Sequence, residues 1–233
     1  MEAPVNTITM ICWKRPAYLR EAIASLERNN LSGISRILIG AEPFDNPEMT
    51  ALLDALEKRT LWGTPVCVTR NPRLLGCDTN GFQTINRAFE AGSTFNIHVE
   101  EDVILSHDAI QFALDNKPNM ILPECMAMCL HNHNTLPGAL THAVQSILEF
   151  NPYGWACTAE QWSFLKREWF TNRWFFEGGG RGWDWSVNWH CAKAKVKTTL
   201  MPMVSRATTI GRLNGTYMTP EYWDSQFKQQ HIL

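Results

Sequence analysis

The chain is predicted to fold as an α/β domain in which helices flank a mostly parallel sheet, and three observations support this prediction. In the first half, short apolar and β-branched segments alternate with segments of helical periodicity. Three strand–helix units in succession imply parallel strands joined by right-handed crossovers. Three consecutive acidic residues also interrupt a fourth apolar segment, and open α/β sheets bind ligands where their strands end.

The strands and helices of the first half follow one another without long gaps. The first helix is expected to begin at Pro16, because the missing N–H of proline costs nothing in the first turn. Its apolar face carries Leu19, Ile23 and Leu26. Strands are predicted at 5–13, 34–40 and 65–69, and the two further helices at 47–59 and 80–91.

The second half is less regular, with helices predicted at 107–116, 138–150 and 185–194 and a strand at 126–130. The helix at 138–150 is inferred from the spacing of its leucine, valine and isoleucine residues. The segment 177–182 contains four glycines, so we expect a mobile loop that closes over a bound ligand. No repeat or low-complexity linker divides the chain, and we expect one domain over 1–233.

The composition is that of an ordinary globular protein, with 45% hydrophobic and 19% charged residues. A net charge of −2 gives no support to a nucleic-acid or membrane-binding surface, although it leaves room for a local basic groove. No apolar run approaches the roughly 18 residues that would span a bilayer. Seven cysteines without regular spacing favour reduced thiols, and therefore a cytoplasmic location.

Glu100, Glu101 and Asp102 form the acidic run, and apolar residues precede and follow it. Adjacent carboxylates on a buried strand repel one another and cost several kcal/mol to desolvate. A divalent cation removes this cost, and oxygen ligands of this kind suit Mg²⁺ or Mn²⁺. The run therefore indicates a metal platform for a phosphorylated ligand, and the alternative is a solvated acidic turn.

Several motifs along the chain occur in an order that resembles the GT-A glycosyltransferases. The first half is similar to family 2 enzymes and carries Lys14-Arg15-Pro16, Glu42, an Asn-x-x-x-x-Gly loop at 71–76, and the acidic run. The second half is similar to inverting N-acetylglucosaminyltransferase I enzymes and carries Tyr153-Gly154-Trp155, Glu160-Gln161-Trp162, Trp183-Asp184-Trp185 and the segment 204–211.

This resemblance implies a GT-A, Rossmann-like sheet with a nucleotide-sugar-binding half over 1–105 and an irregular acceptor-side half over 106–233. It also implies a hexosyl- or N-acetylhexosaminyltransferase that depends on Mn²⁺ or Mg²⁺ and inverts the anomeric centre. The expected donor is a nucleoside diphosphate sugar, with UDP-sugars favoured. The expected acceptor is a hydroxyl, most simply of a glycan, while a protein and a modified nucleic-acid base stay open.

The resemblance further assigns roles to individual residues. Asp102 is expected to bind the metal, and Asp184 is expected to be the catalytic base. Tryptophan walls raise the pKa of a carboxylate by desolvating it, although Asp184 is also placed as a helix N-cap. The implied nucleotide-sugar ligands are Cys12, Lys14, Arg15, Glu42, Asn80, Glu100 and Glu101, and the implied acceptor contacts are Trp155, Trp183 and Trp185.

Alternatives to these assignments exist at several points. Glu177 and Asp224 are the next choices for the base, and His231 is a further candidate metal ligand near the C-terminus. A GT-A-like nucleotidyltransferase is a rival, although its Gly-x-Gly-x-x-Arg signature is missing after the first strand. A non-catalytic nucleotide-sugar or glycan-binding protein is a second rival. The cysteines and histidines of 125–133 fit no common zinc-finger spacing.

Overall fold

The computed structural model describes residues 5–135, 140–213 and 218–228. The strands are β1 (Asn6–Cys12), β2 (Arg36–Ala41), β3 (Thr60–Leu61), β4 (Thr64–Arg70), β5 (Phe95–Glu100), β6 (Val103–Leu105), β7 (Cys125–Cys129), β8 (Val144–Ile147), β9 (Trp155–Thr158), β10 (Thr198–Pro202) and β11 (Ala207–Thr209). The helices are α1 (Pro16–Glu27), α2 (Pro47–Glu57), α3 (Cys77–Glu90), α4 (Ala109–Asn116), α5 (Ala159–Glu168), α6 (Arg173–Phe176), α7 (Trp183–Asn188) and α8 (Pro220–Gln226), with a 3₁₀ turn at Lys117–Ile121 and a π-helical turn at Trp189–Lys193.

Within the described residues, the main sheet has nine strands in the order β3-β4-β2-β1-β5-β9-β7-β10-β8. Strands β4, β2, β1 and β5 pair in parallel, as the strand–helix alternation predicts. Strand β9 then pairs antiparallel with both β5 and β7, while β10 pairs in parallel with β7. Six of these nine strands therefore run in one direction, and the exceptions are β3, β8 and β9.

A second, two-stranded sheet follows the acidic run directly. Strand β6 pairs antiparallel with β11, so that Val103 lies opposite Thr209 and Leu105 opposite Ala207. The pairing brings residues about a hundred positions apart to the carboxyl end of β5. This small sheet positions the segment that packs against the candidate site.

Two predicted helices differ from the structure. Residues 138–139 lie outside the described residues, and Val144–Ile147 is the edge strand β8, which pairs antiparallel with β10. The apolar spacing fits a helix, but Leu140 and Leu148 are exposed and gain no core contact from a helical face. The helix predicted at 185–194 instead begins at Trp183, and Gly182 occupies its N-cap, so Asp184 lies inside the first turn and is not the cap.

The sheet separates two apolar layers. Helices α1, α2 and α4 cover one layer, whereas α3, α5 and α7 cover the other, which is rich in tryptophan. Alternation along β9 shows this division, because Ala156 joins the first layer and its neighbours Trp155 and Cys157 join the second. No helix within the described residues is both long and apolar enough to cross a bilayer.

Buried polar side chains join β1 and β5 at the middle of the sheet. Thr7 Oγ1 donates to Asn96 Oδ1 over 2.8 Å, and Asn96 Nδ2 donates to Thr9 Oγ1 over 2.8 Å. His98 Nδ1 lies 2.9 Å from Thr9 Oγ1, and burial lowers the pKa of His98 to about 3. This histidine is therefore a neutral member of the network.

Replacing His98 with Asn is expected to make the free energy of unfolding less dependent on pH, by the equivalent of about one bound proton. Below pH 6.5 the unfolded chain binds a proton at His98 that the folded chain does not, so the folded state loses stability as the pH falls from 6.5 toward 3. The loss from this residue is about 1.4 kcal/mol per pH unit. Urea unfolding at a series of pH values measures the slope.

His107→Asn, at an exposed position, is the matched control for the loss of a histidine side chain. An unchanged slope in His98→Asn would show that this histidine is not held neutral by the fold.

Candidate functional site

The three acidic residues at the end of β5 point in different directions and have different partners. Glu101 is buried, with 4% of its surface exposed. Its carboxylate accepts hydrogen bonds from the Trp13 backbone N–H and from Arg15 Nε, both over 2.6 Å. Burial raises the pKa of Glu101, and the Arg15 charge opposes this shift. Glu101 therefore ties the loop after β1 to the turn after β5.

Arg15 extends from this ion pair to the next carboxylate. Its Nη1 lies 3.0 Å from Asp102 Oδ2, and its guanidinium lies 5.1 Å from the centre of the Tyr18 ring. Burial lowers the pKa of Arg15, but the Asp102 and Glu101 charges raise it by a larger amount, so the net shift is upward. The guanidinium is thus a fixed positive charge beside Asp102.

Asp102 is held from the other side by the backbone that follows β11. Its carbonyl oxygen accepts a hydrogen bond from the Ile210 backbone N–H over 2.8 Å. A Cβ atom at Gly211 would lie 2.0 Å from Asp102 Oδ2, which is shorter than any non-bonded contact between such atoms. Position 211 must therefore be glycine if the carboxylate is to keep this orientation. The sequence pattern gave no sign of this contact.

Asp184 lies in the first turn of α7, and stacked tryptophans fix that helix. The Trp183 and Trp169 rings stack with 4.0 Å between their centroids and 2° between their planes. Trp169 Nε1 also donates to the Asp78 carbonyl oxygen over 2.8 Å. Gly182 adopts a φ of 122° at the N-cap, which favours glycine. These contacts bring Asp184 and Asp78 to the same region.

Asp102 and Asp184 both lie near enough to Glu100, at the end of β5, for their charges to act on it. Burial raises the pKa of Glu100 to about 8, and the Asp102 and Asp184 charges add to this shift while Arg15 opposes it. Burial raises the pKa of Asp184 to about 7, with a further contribution from the Asp78 charge. These carboxylates repel one another in a poorly solvated position, so a bound cation would stabilise their charged forms.

An aromatic wall borders the same carboxylates. Burial raises the pKa of Tyr153, and the Asp184, Glu100 and Asp102 charges add to it. The Tyr153 ring lies 5.3 Å from that of His131 and 4.9 Å from that of Phe227, measured between centroids. Tyr153 was not among the predicted site residues, and its only signal in the sequence was its place in the motif Tyr153-Gly154-Trp155.

The predicted nucleotide ligands Glu42 and Asn80 belong to one buried network. Glu42 accepts from the Leu75 backbone N–H over 3.0 Å and from Asn71 Nδ2 over 3.4 Å. Asn71 Nδ2 also donates to Asn80 Oδ1 over 3.1 Å, and Asn80 Nδ2 donates to the Gly40 carbonyl over 3.0 Å. The network fixes the loop 71–76, and a direct contact with a nucleotide stays a prediction for both residues.

The remaining predicted site residues differ in exposure. Cys12 is buried at the end of β1, whereas Lys14 is partly exposed with its Nζ 4.2 Å from the centre of the Trp13 ring. Trp155 and Trp183 are buried in the aromatic layer, and of the three predicted acceptor contacts only Trp185, at 38%, is exposed.

The glycine segment 177–182 packs against tryptophans. A Cβ atom at Gly179 would lie 1.5 Å from Trp174 Nε1, and one at Gly180 would lie 1.9 Å from Trp185 Cδ2. Two of its glycines therefore serve close packing, and closure over a ligand stays a prediction. The alternative bases are placed differently, since Glu177 is exposed and Asp224 is bonded through both oxygens to Arg212 at 2.9 Å.

Within residues 5–135, 140–213 and 218–228, no group of three or more histidines, cysteines or acidic residues has the arrangement of a complete metal site. His131 Nδ1 lies 2.8 Å from the Ala207 carbonyl oxygen, and burial lowers the pKa of His131 to about 3. His231 lies outside the described residues. A metal at Asp102 would therefore take most of its ligands from substrate and water.

No protein-family model matches the chain, and no curated protein matches it in sequence. The structure is similar to that of GalNAc-T7 with UDP, GalNAc and Mn²⁺, with a TM-score of 0.61 and 12% identity, covering 91% of this chain and 44% of that chain. The fold is GT-A-like. The structure is also similar to that of the mannosyltransferase PcManGT from Pyrobaculum calidifontis in complex with GDP-Man and Mn²⁺. That comparison gives a TM-score of 0.51 and 12% identity, and it covers 81% of this chain and 51% of that chain.

These similarities confirm the predicted GT-A fold class, with its mostly parallel sheet and flanking helices. The chain spans about half the length of the two matched proteins. At 12% identity the likeness establishes the fold, so the roles of individual residues rest on the geometry described above.

Gly211→Ala is expected to destabilise the fold by about 1–3 kcal/mol, because the new methyl group overlaps the Asp102 carboxylate. The cost should shrink in an Asp102→Ala background, where the overlapping atoms are gone. Urea unfolding of the single and double variants gives the coupling energy.

Gly81→Ala is the control, since its Cβ atom would come no closer than 3.5 Å to a neighbour, and its cost should not depend on Asp102. Additive costs for Gly211→Ala and Asp102→Ala would contradict the proposed contact.

Proposed function

We propose that the chain is a glycosyltransferase that moves a sugar from a nucleoside diphosphate sugar to an acceptor hydroxyl, with inversion and with the help of a divalent cation. The observation that carries the proposal is that the charges of Asp102 and Asp184 both act on the buried Glu100 carboxylate at the carboxyl end of β5, in a GT-A-like fold. Ligands of open α/β sheets bind outside the carboxyl ends of the strands. The fold and the carboxylates thus favour the same location for the substrate.

The residues at this location fit Mn²⁺ or Mg²⁺. Mg²⁺ is commonly held by one or two carboxylates together with substrate phosphates and water, and Asp102 offers one such carboxylate oxygen. Burial and the Asp102 charge raise the pKa of the neighbouring Glu100 to about 8, and a bound cation would favour its charged form. When bound, the cation would neutralise charge on the leaving diphosphate. Both matched structures were solved with Mn²⁺.

Arg15 and Glu101 act in this proposal as positioning residues. Arg15 Nε donates to Glu101, and Nη1 lies 3.0 Å from Asp102 Oδ2, so the guanidinium places a positive charge beside the Asp102 carboxylate. Lys14 directly precedes Arg15 in the loop after β1 and is partly exposed, and we assign it to the donor diphosphate. GalNAc-T7 was solved with UDP and PcManGT with GDP-Man, and we favour a UDP-sugar as the donor here.

Asp184 is the proposed general base. Its pKa of about 7 suits proton transfer near neutral pH, because an effective base has a pKa close to the working pH. The acceptor oxygen would bond to the anomeric carbon as the bond from that carbon to the diphosphate oxygen breaks. The hydroxyl proton passes to an Asp184 carboxylate oxygen, and one displacement inverts the anomeric centre.

Replacing Asp102 with Ala is expected to abolish the Mn²⁺-dependent stabilisation of the folded chain by nucleoside diphosphates. Ligand at about a hundred times its Kd stabilises a folded protein by roughly 2.7 kcal/mol. Thermal-shift measurements with UDP and GDP, each with and without Mn²⁺, test this expectation and indicate the preferred base.

Asp115→Ala is the matched control, because Asp115 is an exposed residue of α4 whose carboxylate accepts only from Gln111 among the described residues. Full Mn²⁺-dependent stabilisation of Asp102→Ala would remove Asp102 as the metal ligand.

Asp184→Asn is expected to lower turnover by about 10²–10⁴-fold, because the amide cannot accept the hydroxyl proton. In the wild-type chain, kcat/KM should rise with pH through an apparent pKa near 7 as Asp184 loses its proton. Release of nucleoside diphosphate from a panel of nucleotide sugars measures turnover, and NMR of the product gives its anomeric configuration.

Glu177→Gln is the comparison variant and should retain turnover. The reverse ranking of the two variants would transfer the role of base to Glu177. A product with retained configuration would contradict the single displacement.

A further inference from the structure

The segment 166–197 has a charge balance opposite to that of the rest of the chain. It contains seven of the 21 lysines and arginines but only three of the 23 acidic residues. The chain as a whole has a net charge of −2, so the basic residues are concentrated in the part of the sequence that includes α6 and α7. This local excess can recognise a polyanion, which the overall charge does not indicate.

The basic side chains of this segment are largely free of acidic partners. Lys166, Arg167, Arg181, Lys193 and Lys195 are exposed, and none of them forms an ion pair with any part of the chain that the structure describes. Of the acidic residues in the segment, Glu168 is already bonded to His190 over 2.8 Å. The cations therefore present their charge to solvent.

Aromatic rings alternate with these cations on one surface. The Arg181 guanidinium lies 5.2 Å from the centre of the Phe175 ring, and Lys193 Nζ lies 5.4 Å from that of Trp174. The Trp174 and Trp185 rings are 5.2 Å apart. We call this surface the aromatic–basic face and define it by Trp174, Phe175, Phe176, Arg181, Trp185 and Lys193.

The aromatic–basic face adjoins the proposed base. A groove of about 390 Å³ is lined by Phe175, Phe176, Arg181 and Gly182 on this face, and by Asp78 and Asn172 beside it. Gly182 is the N-cap of α7, and a Cβ atom there would lie 3.0 Å from Asp184 Oδ1. A polymer on the face would thus pass beside the Asp184 carboxylate.

The chemistry of the face distinguishes between acceptor classes. A neutral glycan stacks on aromatic rings but has no charge for the cations to bind. Single-stranded nucleic acid uses both features, since its phosphates bind lysine and arginine while its unpaired bases stack on aromatic side chains. Phe176 is 80% exposed and suits such stacking, although exposed aromatic rings of this kind are otherwise unfavourable in water.

We propose that the aromatic–basic face binds single-stranded nucleic acid and presents a hydroxyl of one nucleotide to Asp184. This inference rests on the proposed function. The nucleotide hydroxyl oxygen would bond to the anomeric carbon of the donor, the bond to the diphosphate would break, and the proton would pass to Asp184. An unpaired strand is required because a base within a duplex cannot enter a groove beside the catalytic residue.

Binding of a fluorescein-labelled, mixed-sequence single-stranded RNA of about 20 nucleotides, whose riboses carry free 2′-hydroxyls, is followed by anisotropy and tests the proposal directly. The affinity should fall with salt between about 50 and 200 mM, with a log–log slope of about −0.7 for each phosphate that the protein neutralises. Arg181→Gln combined with Lys193→Gln should make that slope shallower by about 1.4. Circular dichroism melts confirm that each variant is folded.

The contribution of stacking is tested separately with Phe176→Ala. This variant should bind the oligonucleotide roughly 5- to 150-fold more weakly, as expected for the loss of one stacked base. Its affinity for heparin, a polyanion without bases, should stay at the wild-type value. A duplex of the same sequence should bind more weakly than the single strand.

Matched controls lie near the other edge of the sheet. Arg28→Gln with Lys58→Gln removes two exposed cations, and Trp62→Ala removes a ring that is 64% exposed beside β3. Both should bind the oligonucleotide like the wild-type chain. Equal weakening by the controls would show that the effects are not specific to the aromatic–basic face.

Four results would overturn the proposal: no oligonucleotide binding at low salt, wild-type binding by all face variants, equal loss of heparin binding in Phe176→Ala, or displacement of the oligonucleotide by a neutral chito-oligosaccharide. The third would indicate an anionic glycan and the fourth a neutral one.

Nucleoside diphosphate binding by the wild-type chain is measured in parallel. If the chain binds nucleoside diphosphates but not the oligonucleotide, only this inference fails. If it binds the oligonucleotide but not nucleoside diphosphates, the proposed function fails instead.

Discussion

Glu101 joins the ends of two neighbouring parallel strands, and the geometry of the candidate site depends on this contact. Its carboxylate accepts from the Trp13 backbone N–H and from Arg15 Nε, so the loop after β1 is fixed to the turn after β5. A buried carboxylate without such partners would be strongly destabilising. Once Arg15 is held in this way, its Nη1 lies 3.0 Å from Asp102 Oδ2 and places a positive charge beside that carboxylate.

The site combines the carboxyl groups of Glu100, Glu101, Asp102 and Asp184 with the guanidinium of Arg15. The charges of Asp102 and Asp184 both act on Glu100, and burial adds to the cost of ionising Glu100 and Asp184. Such an arrangement costs free energy in the folded state, and a cation bound there would lower that cost. The excess of basic residues in 166–197 gives the neighbouring surface the opposite sign.

The tryptophans of the second half mainly determine where Asp184 lies. Trp169 stacks on Trp183, which directly precedes Asp184, and its indole N–H also fixes the start of α3 at Asp78. Trp155 packs into the same buried layer. Their large apolar surfaces stabilise the second half, and their rigid packing orients the carboxylate. Trp155, Trp169 and Trp183 therefore form a supporting layer beneath the site.

The sequence by itself determined the parallel half of the sheet, because apolar periodicity and short crossovers are local properties that each segment carries alone. It also located the acidic run at the end of β5, where Glu100, Glu101 and Asp102 interrupt an apolar segment. Only the tertiary structure decided that β8 is a strand, that β9 enters the sheet between β5 and β7, and that Gly211 packs against Asp102. Those outcomes depend on hydrogen bonds and steric contacts between segments far apart in the chain, and no local pattern records which distant partner a segment will meet.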